Sequence, residues 1–171
     1  MSDFQAELRE LEALSGATIR EADEDFHRLA DAAIGQALHD CGAQFGITQH
    51  YNISAGALVI ASQRNFRIPF LKHFSTSVPG DGTVHGRAFE SRSQVAVEDV
   101  RYDPDYAPHL PVAEEAGFRA VLSTPVPGAD NAILGVLSVY YAKPHHFTPE
   151  ERQAAQKAAC NLGRQWTGVS R

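Results

Sequence analysis

Apolar side chains recur along this chain at two periods, one near 3.6 residues and one of two, and the switches between them predict the elements. Phe4, Leu8 and Leu11 fall at helical spacing among Glu7, Arg9, Glu10 and Glu12, which predicts a short amphipathic helix over 1–16 ended by Ser15-Gly16. Phe26, Leu29, Ala30, Ala33, Ala37 and Leu38 form a second, longer stripe that stops near Cys41, with Gly42 placed as the C-terminal glycine. From 44 to 53 the period falls to two. Phe45, Ile47, Tyr51 and Ile53 take one side and Gln44, Thr48, His50 and Asn52 the other. Ser54-Ala55-Gly56 turns the chain, and 57–62 returns as the second strand of an antiparallel hairpin.

Between 66 and 74, Phe66, Phe70 and Phe74 recur every four residues, and Pro69 can open a helical turn but not sit inside a strand ladder, so a short helix is expected. A loop over 78–82 leads to a second short helix over 83–91. A strand over 94–100 with Val95 and Val97 on one face, a polar loop over 101–111 and a brief helix ending at Gly117 follow. Strands over 119–126 and 132–142 come next, the latter apolar on both faces and therefore expected mid-sheet with cover on each side. Thr148-Pro149-Glu150-Glu151 is a capping box with a first-turn proline, opening a helix striped by Ala155, Ala158, Ala159, Leu162 and Trp166. The order predicts an α+β fold. A single antiparallel sheet of five or six strands carries the N- and C-terminal helices on one face and short helices and loops on the other.

Composition narrows the classes without naming one. With 171 residues, 43% hydrophobic, the chain is long enough for a core that needs no staples. Twelve arginines and three lysines lie scattered through a chain of net charge −6, whereas phosphate-backbone binding concentrates them on a face, so no nucleic-acid partner is expected. No apolar run approaches the length of a membrane span, and Met1-Ser2-Asp3-Phe4 opens no secretory signal, so the expectation is a cytoplasmic protein without a membrane partner. Cys41 and Cys160 form no CxxC pair and are expected reduced.

Several separated motifs agree on a family. Gly80-Asp81-Gly82-Thr83-Val84-His85-Gly86-Arg87-Ala88-Phe89, then Val97-Glu98-Asp99-Val100, Asp103-Pro104, Gly117-Phe118-Arg119-Ala120-Val121-Leu122-Ser123-Thr124-Pro125-Val126 and Gly135-Val136-Leu137-Ser138-Val139, resemble the GAF domain family over about 22–166. The resemblance implies a small-molecule-sensing domain over 17–171, with a ligand cavity between sheet and loops and dimerisation through the terminal helices. A separate signalling output protein is implied as a partner, since no output domain follows, and the chain is either a stand-alone sensor or part of a longer protein. Many close relatives carry a cysteine where this chain has His85. The relatives that reduce free methionine sulfoxide use cysteines around the pocket, while Cys41 and Cys160 fall on the terminal helices here, so no enzyme is expected. The Asn-Lys, Phe and Asp-Glu pattern of cyclic-nucleotide binders is missing, and Arg67-Ile68-Pro69 only partly matches the bilin-binding pattern.

Residue chemistry supplies the candidate site. The glycines of 80–86 precede a helix and could present backbone N–H groups to an anion, yet no phosphate-loop lysine follows and Asp81 would repel a phosphate, so a plain loop-to-helix transition is expected. His85, on the helix that by resemblance lines the cavity, either contacts a ligand, metal or haem or is satisfied within the protein. His109 is its one plausible cavity partner, and His145-His146 is expected to be solvated. Phe70, Phe74, Phe89, Val97 and Tyr106 fit an apolar pocket and fit ordinary core packing equally. Asp99 at the loop mouth and Ser123 complete the candidate ligand-binding set. Asp99 and Asp103 suit turn and capping bonds, and Ser123 lacks the Gly-x-Ser-x-Gly elbow of a hydrolase. No catalytic or metal-ligating set is expected, and ligand and cofactor stay unnamed. Two other classes stay open: a cysteine-dependent redox enzyme of the free methionine sulfoxide reductase type, and a ligand-free dimerisation module.

Overall fold

A computed structural model describes residues 21–169, together with Ala6, Glu7 and Arg9, which are helical. Phe4, Leu8 and Leu11, which carry the predicted first helix, lie outside the described residues. Helix α1 (Glu21–Cys41) leads into β1 (Phe45–Asn52) and β2 (Ala57–Arg64), then the short helix α2 (Ile68–His73), an edge strand β3 (Thr76–Ser77) and helix α3 (Val84–Ser91). Strand β4 (Val95–Val97) precedes 3-10 turns over Val100–Tyr102 and Pro104–His109, helix α4 (Leu110–Ala116), strands β5 (Ala120–Pro127) and β6 (Ile133–Tyr141), and helix α5 (Pro149–Val169). The described strands make one antiparallel sheet in the order β3-β2-β1-β6-β5-β4. This is the expected α+β fold, with β6 in mid-sheet.

The pleat sends alternate residues to two cores. Leu122, Val126, Leu137 and Val139 meet Ala30, Ile34 and Ala37 of α1 and Ala155, Ala159, Leu162 and Trp166 of α5. Trp166 stacks on Phe26 at 5.4 Å. Both long helices therefore cover one face. The opposite face holds Ile47, Ile60, Val97, Val121 and Tyr140 under Phe66, Phe70, Phe74, Tyr106 and Phe118. The capping box forms as expected: Glu151 N donates to Thr148 Oγ1 at 3.1 Å, and Thr148 N donates to Glu151 Oε1 at 3.3 Å.

Four expectations need correction. The strand over 94–100 shrinks to Val95–Val97 because the Glu98 carbonyl accepts from His145 N and Asp99 caps the next turn, which ends the ladder. The loop over 101–111 is largely helical, since Asp99 and Asp103 cap successive 3-10 turns and Pro104 and Pro111 occupy first-turn positions that need no N–H. Ile53 is 85% exposed rather than on the apolar side, because Asn52 Oδ1 accepts from Ala55 N and starts the turn early. His145 is not solvated: its ring stacks on Tyr141 at 3.9 Å and bonds Glu151 at 2.6 Å, while His146 is exposed.

Candidate ligand-binding site

The position of α3 is set by a local cap. Thr83 Oγ1 accepts from Gly86 N at 3.0 Å, and Asp81 Oδ1 accepts from the Thr83 N–H at 2.9 Å and its hydroxyl at 2.6 Å. A Cβ on Gly86 would lie 2.8 Å from Thr83 Oγ1, and one on Gly82, at φ +82, would lie 2.3 Å from the Asp105 carbonyl. These glycines admit the cap and the neighbouring turn. So fixed, α3 turns His85 inward, where Nε2 lies 2.9 Å from Ser77 Oγ of β3 and the ring meets Phe74 edge-on at 5.3 Å. Burial, opposed by Asp81 and reinforced by His109, pushes the His85 imidazolium down to about 4, so the ring is neutral at physiological pH.

His109 does not pair with His85. Its Nε2 lies 2.7 Å from the Asp81 carbonyl and donates to it, and its Nδ1 lies 2.9 Å from His73 Nε2. The two imidazoles join α2 to the 104–109 turn. His73 was invisible in sequence, because a hydrogen bond between residues 36 apart leaves no local pattern. Burial, with His109 beside it, holds the His73 imidazolium below its usual range despite the opposing Asp81.

Five expected residues gather here: Phe70, Phe74, His85, Tyr106 and His109 form a continuous series of ring contacts. Phe89 packs instead with Tyr51 at 4.5 Å, and Val97 stands on β4 in the same apolar layer as Phe70. Ser123 Oγ is 2.7 Å from Ser138 Oγ on the neighbouring strand. Asp99 is held by Arg119 through contacts of 2.9 and 2.5 Å, and that hydrogen bond keeps its carboxyl below the usual range despite partial burial. Among the described residues, no three His, Cys, Asp or Glu side chains are grouped to hold a metal ion.

Gln49, outside the expected set, also belongs to this face. On β1 it falls between Ile47 and Tyr51, in phase with the apolar side, and the register sets it between Ile60 of β2 and Val136 of β6. Ala88 of α3 clusters with Leu58 and Val136, so α3 lies over this spot. The Gln49 side chain is fully buried, and both its Oε1 and its Nε2 have no protein partner. A polar residue in phase with apolar neighbours was the available signal.

The cysteines lie elsewhere. Cys41 ends α1 beside a hollow of about 520 Å³ also lined by Tyr141, His145 and Glu151, and its thiol is pushed up to about 11 by burial with Glu151 and Asp40 nearby. Cys160 lies on α5 beside Gln156. Both are therefore on the helix layer, away from His85 and Gln49.

A family model described as a GAF domain matches residues 7–163. The chain belongs to the GAF domain family. Solved GAF structures share its fold across nearly the whole chain. The GAF domain of a phosphoenolpyruvate-protein phosphotransferase from Coxiella burnetii is 17% identical at a TM-score of 0.73, covering 97% of this chain and 94% of that one. The blue-light absorbing form of a Thermosynechococcus elongatus PixJ GAF domain is 11% identical at 0.68, covering 90% and 92%. A free methionine-R-sulfoxide reductase from Neisseria meningitidis, solved with its substrate, is 18% identical at 0.67, covering 95% and 87%. No curated protein matches the sequence. In this GAF domain the terminal helices and the His85 side occupy opposite faces of one sheet, and no described helix is long and apolar enough to cross a membrane.

Proposed function

We propose that this GAF domain is a small-molecule sensor that binds its ligand beneath α3 and passes occupancy to its terminal helices. The carrying observation is that Gln49, Ser77, His85, Ser123 and Ser138 are buried polar residues gathered on the face opposite the long helices, with the Gln49 amide unpartnered. β6 links the two faces. Tyr140 belongs to the layer under α2, while the next residue, Tyr141, has its hydroxyl 2.8 Å from the Cys41 carbonyl of α1 and 2.9 Å from the Glu151 carboxylate of α5. A ligand that binds two arrangements of these helices with different affinity biases them by that difference, typically about 1–3 kcal/mol.

The output surface in this reading is a homodimer contact through the terminal helices, including the segment 1–16, acting on a separate signalling protein. A groove of about 360 Å³ between α1 and α5, lined by Ala32, Ala33 and Ala158 among others, offers small side chains that let a partner helix approach closely. Placement of both cysteines in the helix layer favours binding over cysteine-dependent sulfoxide reduction. Native mass spectrometry of freshly purified protein tests the reading: a co-purified small molecule is expected, and a bare mass together with an unchanged solution mass after removal of 1–16 would count against sensor and dimer alike.

A further inference from the structure

We infer that the groove between α1 and α5 is the seat of this chain's own N-terminal segment, residues 1–16, with Phe4, Leu8 and Leu11 turned onto its alanines. This rests on the sensory reading above and deepens it, because a second copy then meets a layer of three helices, the segment among them. The groove, of about 360 Å³, is lined by Ala32 and Ala33 of α1 and by Ala158, Leu162, Asn161 and Arg164 of α5, the last two exposed. The segment brings three large apolar side chains on one helical stripe to a groove of small ones. Its described residues Ala6, Glu7 and Arg9 are helical. Ala6 and Arg9, on the side away from the stripe, are exposed, and Glu7 on its flank is half-buried.

The tether favours the same chain over a second copy. Residues 17–20 alone separate the segment from Glu21, a span of at most about 14 Å. A helix over 1–16 is about 24 Å long, and Gln36 at the far end of the groove lies about 22 Å along α1 from Glu21, so a segment folded back along α1 covers the groove. So short a tether holds the segment at an effective concentration in the millimolar range, roughly a thousandfold above a micromolar second copy.

Charge fixes the register. Trp166 stacks on Phe26 at one end of the helix pair and Tyr141 joins Cys41 to Glu151 at the other, so α1 and α5 are antiparallel. A segment folded back along α1 therefore runs parallel to α5. Asp3, Glu7 and Glu10 recur on one flank of the stripe, and Lys157, Asn161 and Arg164 recur along exposed α5 at the same spacing of four and three. Asp3 then faces Lys157, Glu7 faces Asn161 and Glu10 faces Arg164. The depth agrees: Asp3 is about 20 Å along the segment from Gly16, and Lys157, interpolated between the two helix contacts, is about 21 Å along α1 from Glu21. Among the described residues no ion pair engages Lys157 or Arg164, whereas Asp25 and Asp31 of α1 are already held by Arg28 and Arg64.

Cross-linking of the full chain tests this. In a Cys160→Ser background, Glu7→Cys with Asn161→Cys puts one thiol on each side of the contact while Cys41 stays buried. A short bis-maleimide at micromolar protein is expected to join the two within one chain, read by intact mass spectrometry as a single-chain mass carrying one linker. Adding Arg164→Glu should slow that reaction at least five-fold, and Glu10→Arg in the same chain should restore it. A link between two chains would overturn the inference, giving the groove to a second copy and leaving the dimer reading standing. No link, or a rate indifferent to Arg164→Glu, overturns it too. No link together with an unchanged solution mass after removal of 1–16 overturns the dimer reading as well.

Discussion

At Gly163 α5 lies directly against the backbone at the end of β5, and adding a single methyl there should be costly. A Cβ at this position would lie 1.8 Å from the Pro127 carbonyl oxygen and 2.9 Å from its carbon. Carbon–oxygen contacts ordinarily begin at about 3.3 Å, so in Gly163→Ala the helix must lift by about 1.5 Å or the end of β5 must give way. Both obstacles are backbone, so no rotamer change relieves them. Overpacking of a tight core costs about 1–3 kcal/mol, and the backbone clash belongs at or above the upper end. Alanine returns up to about 1 kcal/mol of helix propensity, leaving a net loss of about 2 kcal/mol. For a chain of this length that corresponds to a fall in Tm of roughly 4–8 °C. Gly168→Ala on the same helix is the control: nothing lies within 4 Å of its added carbon, so it should be neutral or stabilising by up to about 1 kcal/mol. Scanning calorimetry of both variants reads the difference. Gly163→Ala melting at or above the wild type would refute the claim that α5 seats directly on the β5 backbone.

Three further outcomes follow from the electrostatics. The His85 imidazole ionises near 4 in the fold and near 6.5 when unfolded, so the unfolded chain binds the proton first; stability should decline as pH drops below 6.5, by about 3 kcal/mol by pH 4. Urea midpoints of His85→Gln should show a flatter profile over that range, and parallel profiles would contradict the burial argument. Arg119→Leu should lower Tm at pH 7, where the Asp99 carboxylate it holds is ionised, and the deficit should shrink toward pH 3 as acid protonates Asp99 through its depressed folded value; an equal deficit at both pH values would exclude the ion pair as its source. In a thiol titration at pH 8, Cys160 should react readily and Cys41 only on unfolding, because burial keeps Cys41 a thiol; two fast equivalents would reverse that assignment.

Local rules carried much of this fold and far less of its site. The stripe from Ala155 to Trp166 and the Thr148–Glu151 capping box are read within a few residues, and all of them stand as expected. Strand β4 is shorter than its valine pattern because a residue nearly fifty positions away, His145, donates its N–H to the Glu98 carbonyl. Edge strand β3 has two residues, too few for any period to emerge. The aromatic repeat of Phe66, Phe70 and Phe74 was legible, but its partners Phe118 and Tyr140 were joined to it only by the sheet register. The same holds for His73 with His109 and for Ser123 with Ser138. Gln49 differs from these, since its anomaly was present in the alternation itself as an amide where the period calls for an apolar residue.

Whether a small molecule sits between the sheet and α3 is read most directly from a crystal structure of the protein as purified. Density for an organic ligand against Oε1 and Nε2 of Gln49, roofed by α3 near Ala88, is the expected result. A recess closed by side chains, with the Gln49 amide bonded to other protein groups, would contradict it.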